Sequence, residues 1–293
     1  VRIVAFIVVG SCLALAPWAY GQATFRAGVD VVACYATVVG DDGALMPHLT
    51  ARDFELKADG KPQDITVFQA GLLPITIVVL LDDSPSMHAS KPSTTVAGTA
   101  FIRRLRPGDR ATVGVFSRTV TLDGALTSDT DELIGRLGLS SPVMAGTALW
   151  DALNAAMAVL EDEPGRRVVL VLTDGDDNTS AMTSVAMAER AIREGVMVYA
   201  IGIRSTEGRL GRGLEDLARD TGGFFFELKP SDNLPSVFQR VADELHAQYL
   251  IGFSPGGLDG RAHRLQLKAR RPGLSVRART SYVTLAPGLP APK

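Results

Sequence analysis

The stretch Ile75 to Met87, ITIVVLLDDSPSM, limits what this chain can become more than any other. The run Ile75-Thr76-Ile77-Val78-Val79-Leu80-Leu81 stops abruptly at Asp82. An unbroken apolar and β-branched run suits a strand covered on both faces, at the centre of a parallel sheet flanked by helices. Ligands of such sheets bind in the crevice beyond the strands' carboxyl ends, which is where Asp82 falls. Two hydroxyls follow at even spacing, Asp82-x-Ser84-x-Ser86. A carboxylate and two hydroxyls on one tight loop offer the hard oxygens that Mg2+ takes in octahedral geometry while keeping some water. If the serines ligate directly and Asp82 acts through water, the ion keeps most of its charge and attracts a carboxylate from another molecule. The same residues also suit a helix N-cap and turn, and this stretch alone leaves both readings open.

Two later stretches add to the pattern. Ala145 to Leu153, AGTALWDAL, opens a helical pattern with Thr147 at its start. Arg167 to Gly175, RVVLVLTDG, is a second buried strand ending at Asp174. Asp-x-Ser-x-Ser, then Gly-Thr before a helix, then a strand ending Thr-Asp-Gly, resembles the metal-ion-dependent adhesion site of von Willebrand factor type A domains. The resemblance covers about residues 74 to 240. It implies that Ser84, Ser86 and Thr147 are direct or switchable ligands of a divalent ion, and that Asp82 and Asp174 act mostly through water. Pro85 stands where the family often has glycine and would stiffen the loop without removing a ligand. In integrin β chains, a pair of acids after the second serine forms an adjacent cation site. Here Met87 is followed by His88, Ala89 and Ser90, so no such second site is expected. His88 is expected to start the first helix and face solvent.

Length and charge narrow the rest. The 293 residues suffice for one large domain or two modest ones. A formal net charge of −2 gives no electrostatic case for nucleic acid binding. Arg2 followed by the apolar run Ile3 to Leu15, then Pro17, Trp18 and small residues, has the layout of a secretory signal peptide. It is short for a membrane span. Cleavage is expected after Gly21 or Ala23, which points to a secreted, periplasmic or surface-associated protein. Val9-Gly10-Ser11-Cys12 loosely resembles a lipobox, although the apolar run continues past Cys12. Membrane contact is expected only if the chain is lipidated or anchored. After cleavage only Cys34 remains, and it reads as a small core residue.

The expected order is a signal peptide over 1–23, an N-terminal β unit over 24–72 and the von Willebrand type A domain over 73–248. C-terminal strands over 249–286, packing with the N-terminal unit, and a tail over 287–293 complete it. The expected class is α/β, a doubly wound and mostly parallel Rossmann-like sheet, with a flanking β-sandwich built from both termini. Helices are expected over 97–105, with Val96, Ala100, Phe101 and Leu105 at helical spacing, and over 181–194, closed by Gly195. Asp176 and Asp177 read as a solvated loop and helix cap. The strands 264–270 and 274–279 flank a turn at Arg271-Pro272-Gly273, and their basic residues read as the wet face of an antiparallel sheet. The terminal strands, and the turn Asp59-Gly60-Lys61-Pro62-Gln63, resemble secreted proteins of this family described in acidobacteria.

Three functions fit the sequence. The first is a non-enzymatic, cation-dependent binding module whose Mg2+, Mn2+ or Ca2+ is completed by an Asp or Glu of a protein partner. The second is a Mg2+-dependent phosphoryl-transfer enzyme using Asp82 and Asp83, although no lysine follows the strands ending at Ser117, Asp174 or Ile203. The third is a metal-free scaffold. A serine hydrolase is disfavoured by the lack of Gly-x-Ser-x-Gly and by histidines His48, His246 and His263 remote in sequence from these loops, with His88 expected to face solvent.

Overall fold

Every residue of strand β5, Ile75–Asp82, is buried, and its side chains divide by parity between two cores. Ile75, Ile77, Val79 and Leu81 face one helical layer, while Val78 and Leu80 face the other. A period of two with apolar residues on both faces leaves the strand no stable place except mid-sheet. The computed structural model describes residues 31–71, 73–122, 124–140, 142, 145–203, 211–229 and 232–284. The expected signal segment, Cys12 and the terminal tail lie outside them.

The central sheet has the order β10-β9-β8-β5-β6-β7. It is formed by β6 (Arg110–Phe116), β7 (Val120–Leu122), β8 (Arg166–Thr173), β9 (Met197–Ile203) and β10 (Phe225–Leu228) around β5. All neighbours are parallel except β7, which runs antiparallel along one edge. The helices α1 (Lys91–Ile102), α2 (Thr130–Arg136) and α6 (Leu234–His246) supply one core. The helices α3 (Leu149–Leu160), α4 (Ser184–Glu194) and α5 (Arg212–Asp220) supply the other. The chain leaves β5 for β6 on one side and later returns to β8 on the other. The crevice of this topological switch therefore opens between the ends of β5 and β8.

The terminal strands form two antiparallel sheets around a third core containing Phe54, Tyr249, Phe253 and Tyr282. One sheet has the order β13-β1-β11-β4, from β1 (Val32–Gly40), β4 (Val67–Ala70), β11 (Tyr249–Phe253) and β13 (Leu274–Ala278). The other has the order β14-β12-β2-β3, from β2 (Phe54–Ala58), β3 (Lys61–Gln63), β12 (Ala262–Ala269) and β14 (Ser281–Val283). In both sheets N-terminal strands pair with C-terminal ones: β1 and β4 both pair with β11, and β2 pairs with β12. The described residues pack as one compact unit. Cys34 is a free thiol inside the sandwich, where burial pushes its pKa up to about 11.

At the end of the strands opposite Asp82, arginines meet helix carboxyl ends. Arg166 donates to Leu245 O of α6, and Arg279 to Ile192 O of α4. Arg167 donates to Leu160 O and Glu161 O at the end of α3 and to Glu194 O at the end of α4. Each guanidinium satisfies carbonyls that have no partner within their helix and meets the negative end of the helix dipole.

Three expectations change. Helix α1 begins at Lys91, not Ala97, and ends at Ile102. Val96 points to solvent, and the buried face is Thr94, Ala97, Gly98, Phe101 and Ile102. The strands flanking Arg271-Pro272-Gly273 do not pair with each other, because β12 and β13 enter different sheets. Arg277 and Arg279 are not on a wet face: Arg277 stacks on the Phe224 ring and pairs with the buried Glu244, and Arg279 caps α4.

Candidate metal centre

Asp82 ends β5 and Asp174 follows β8, so the sheet brings the two carboxylates to one rim of the crevice. The backbone N–H of Ser84 donates to Asp82 Oδ1 at 2.8 Å, closing a tight turn. Ser84 has φ −63° and ψ 158°, the extended state that a following proline enforces. Pro85 then opens a 3-10 turn over Pro85–Ser90, with its fixed φ suited to the first position. The hydroxyls of Ser84 and Ser86 lie 3.0 Å apart, and Ser86 donates to Asp174 Oδ1 at 2.9 Å. The Asp82–Ser86 loop and the end of β8 are thus joined by a chain of side-chain oxygens.

Thr147 is positioned two residues before α3. Its backbone N–H donates to Asn178 Oδ1 at 2.9 Å, and its carbonyl accepts from Asn178 N at 3.0 Å. A side-chain carbon on Gly175 would lie 3.9 Å from Thr147 Oγ1, so the hydroxyl overhangs the Asp174 loop. Gly146 precedes it at φ +119°, and a methyl group there would meet Thr179 Cγ2 at 2.6 Å. Only glycine allows the chain to arrive in this way. Asp82, Ser84, Thr147 and Asp174 are buried, whereas Ser86 is exposed at the rim.

Burial pushes the Asp82 carboxyl above the usual range; donation from Thr173 and Ser84 opposes this, and the charge of Asp174 adds to it. Burial likewise raises Asp174, against the Ser86 donor. A cation held between these two acids would offset the effect of their burial. The donor set contains oxygen only, and among the described residues no group of three His, Cys, Asp or Glu side chains is arranged for a metal. Serine and threonine hydroxyls must therefore complete any cation shell here, and the five residues fit a hard divalent ion.

Several supporting residues are not among the site residues read from the sequence. Thr173 donates to Asp82 Oδ2 at 2.6 Å and fixes that carboxylate. Asp151 accepts from Ala181 N and Met182 N, both at 2.9 Å, tying the first turn of α3 to the loop after β8. Asp177 accepts from Ser180 Oγ at 2.5 Å and from Trp150 N at 3.4 Å, so it caps α3 and not the helix that follows it in sequence. Asp176 accepts from Gly211 N, ahead of α5. His88 is exposed in the 3-10 turn before α1.

Fold and rim together define a doubly wound α/β domain with an oxygen-lined loop site at its topological switch point. The chain belongs to the von Willebrand factor type A family, whose domain profile matches residues 76–240, more than half its length. A von Willebrand factor type A structure from Catenulispora acidiphila superposes with a TM-score of 0.53 at 15% identity, covering 90% of this chain and 76% of that one. Proximal thread matrix protein 1 from the mussel byssus superposes with a TM-score of 0.54 at 20% identity, covering 73% of this chain and 50% of its own. A structure of that protein with a zinc-occupied MIDAS motif gives 0.54 at 24% identity, covering 65% and 50%. At these identities the likeness is one of fold. The chain spans about half the length of the byssus protein it matches. No curated protein sequence matches it.

Proposed function

We propose that this protein is a non-enzymatic binding module that holds one divalent cation among Asp82, Ser84, Ser86, Thr147 and Asp174 and offers it to a carboxylate of a protein partner. Domains of this family are in general interaction modules without catalysis. The observation that carries the reading is the chain Ser84 Oγ to Ser86 Oγ to Asp174 Oδ1, beside two buried acids of raised proton affinity. Ser84, Ser86 and Thr147 would ligate through their hydroxyls, and Asp82 and Asp174 mostly through water. When bound, the ion supplies a positive charge that an Asp or Glu of the partner can neutralise. The exposed Ser86 marks the side from which that carboxylate arrives.

An all-oxygen set without thiolate or imidazole favours Mg2+, Mn2+ or Ca2+ over zinc. The acidic pair does not converge as phosphoryl transfer requires. Asp82 accepts from Ser84 and Thr173, while Asp83 is held by Lys91. The hydroxyls of Ser84 and Ser86 bond to each other and to Asp174, not to a histidine, so neither is set up as a serine nucleophile. The signal-like segment at residues 3–15 supports a place outside the cytoplasm. Among the described residues no helix is long and apolar enough to cross a membrane.

The test is calorimetric titration of Mg2+ and Mn2+ into the protein and into the double variant S84A/S86A. One ion per chain, lost in the folded variant, is the expected result. Identical heats for both proteins up to millimolar metal would overturn the proposal and leave a scaffold.

A further inference from the structure

Asp83 directly follows the first acid of the centre and is as deeply buried, yet it takes a different partner. Lys91, in the first turn of α1, places Nζ 2.7 Å from Asp83 Oδ1. The same ammonium donates to Ser140 Oγ at 2.9 Å, on the segment leading toward Thr147. Beside this pair lies a cavity of about 20 Å³ lined in part by Asp82, Asp83, Lys91 and Thr94. Thr94 Oγ1 is buried there without a hydrogen-bond partner. The space suits one water molecule, and the rest of its wall is mostly apolar, with Leu81, Val115, Leu137 and Leu139. Lysine is a compact point charge on a flexible stem, able to stand where a small cation would.

We propose that Lys91 is a built-in counter-ion that neutralises Asp83, withholds that carboxylate from metal, and limits the centre to a single divalent ion. This rests on the cation reading of the neighbouring centre. With Lys91 in place, Asp83 and the ammonium cancel. Asp82 and Asp174 are then the carboxylates left to face one dication. Without Lys91 the third buried acid loses its ammonium partner, and the net charge beside the ion falls by one.

The experiment is calorimetric Mn2+ titration of the whole protein at low and at roughly 0.5 M salt, with circular dichroism confirming the fold. The wild type is compared with K91M, D83N and D83N/K91M. K91M is expected to bind Mn2+ roughly five- to tenfold more tightly at low salt, or to take a second ion, the size expected of one added charge near a dication. D83N, which leaves the ammonium unmatched, is expected to bind more weakly. The double variant is expected to return to the wild-type affinity and one ion. Wild type binding one ion, with a folded K91M no tighter and still at one ion, overturns this inference alone. So does a D83N protein that binds as tightly as wild type, a test that stands even if K91M does not fold. A wild type that binds no Mn2+ overturns the cation reading itself, and this inference with it.

Discussion

Asp82 illustrates how the protein itself fixes a carboxylate. One oxygen accepts from the backbone of its own loop and the other from Thr173 on the adjacent strand. Thr173 is fully buried, so its hydroxyl has no access to solvent if Asp82 turns away. Thr173→Val keeps the shape and removes the donor. It should cost about 1.5–3 kcal/mol, the range for hydrogen bonds to a charged group, read from urea unfolding of the metal-free protein. An unchanged midpoint would mean that Thr173 does not support the carboxylate. This residue also shows what a sequence can and cannot reveal. Asp82, Ser84, Ser86, Thr147 and Asp174 stand where a strong periodic pattern stops or starts, so their positions at the sheet rim are legible. Thr173, Asn178 and Asp151 act across separated segments, and each has an ordinary local explanation as a strand, turn or helix residue.

At the scale of elements, β5 and β8 were readable because burial on both faces leaves a continuous apolar run. Helix α1 was less so. Its exposed Val96 and its buried Thr94 and Gly98 break the usual pattern, and the packing of α1 overrides it. The strands β12 and β13 carry similar alternation, and nothing in that alternation tells that they belong to different sheets. Packing decides this, because Arg277 and Arg279 turn from β13 and its end toward the α/β layer. In β12, His263 holds the β2–β3 turn and the loop after β11 together. Its Nδ1 lies 2.7 Å from Asp59 and its Nε2 2.9 Å from Asp259. Only the doubly protonated ring donates to both, and these two acids raise the His263 pKa above its ordinary value. Because the folded value is raised, the stabilisation is fully present below the unfolded pKa of about 6.5 and is lost as pH rises through the folded value. His263→Gln should therefore lower the urea midpoint at pH 6 and leave it close to wild type at pH 9. An equal loss at both would assign His263 a packing role against Tyr282, on which its ring stacks.

At the scale of the molecule, the α/β layer and the sandwich are joined through buried charge. Glu244 of α6 is fully buried, 2.8 Å from Arg277 of β13 and 3.2 Å from Arg240 of its own helix. The Arg277 contact is close in distance but its N–H groups are not aligned on the oxygen, so its attraction is Coulombic. Removing one member of such a group leaves the other charge stranded. Glu244→Gln should cost about 3 kcal/mol or more in chemical unfolding. Since the pair spans both layers, near- and far-ultraviolet circular dichroism should still report one shared transition. Two separate transitions in the wild type would show that the layers unfold independently.

The pairing of β4 with β11 has a consequence for how such a chain can change. Ala70 lies opposite Tyr249, and Gly71 N donates to Gln248 O at 3.2 Å, so the ladder continues one rung beyond both strands. Everything between Gly71 and Gln248 leaves and re-enters the sandwich at a single point. The sandwich is a host and the α/β layer its guest, attached through a doorway one strand spacing wide. A tight turn could close that doorway without shifting the register of the host, and a guest of another size could hang from it just as well.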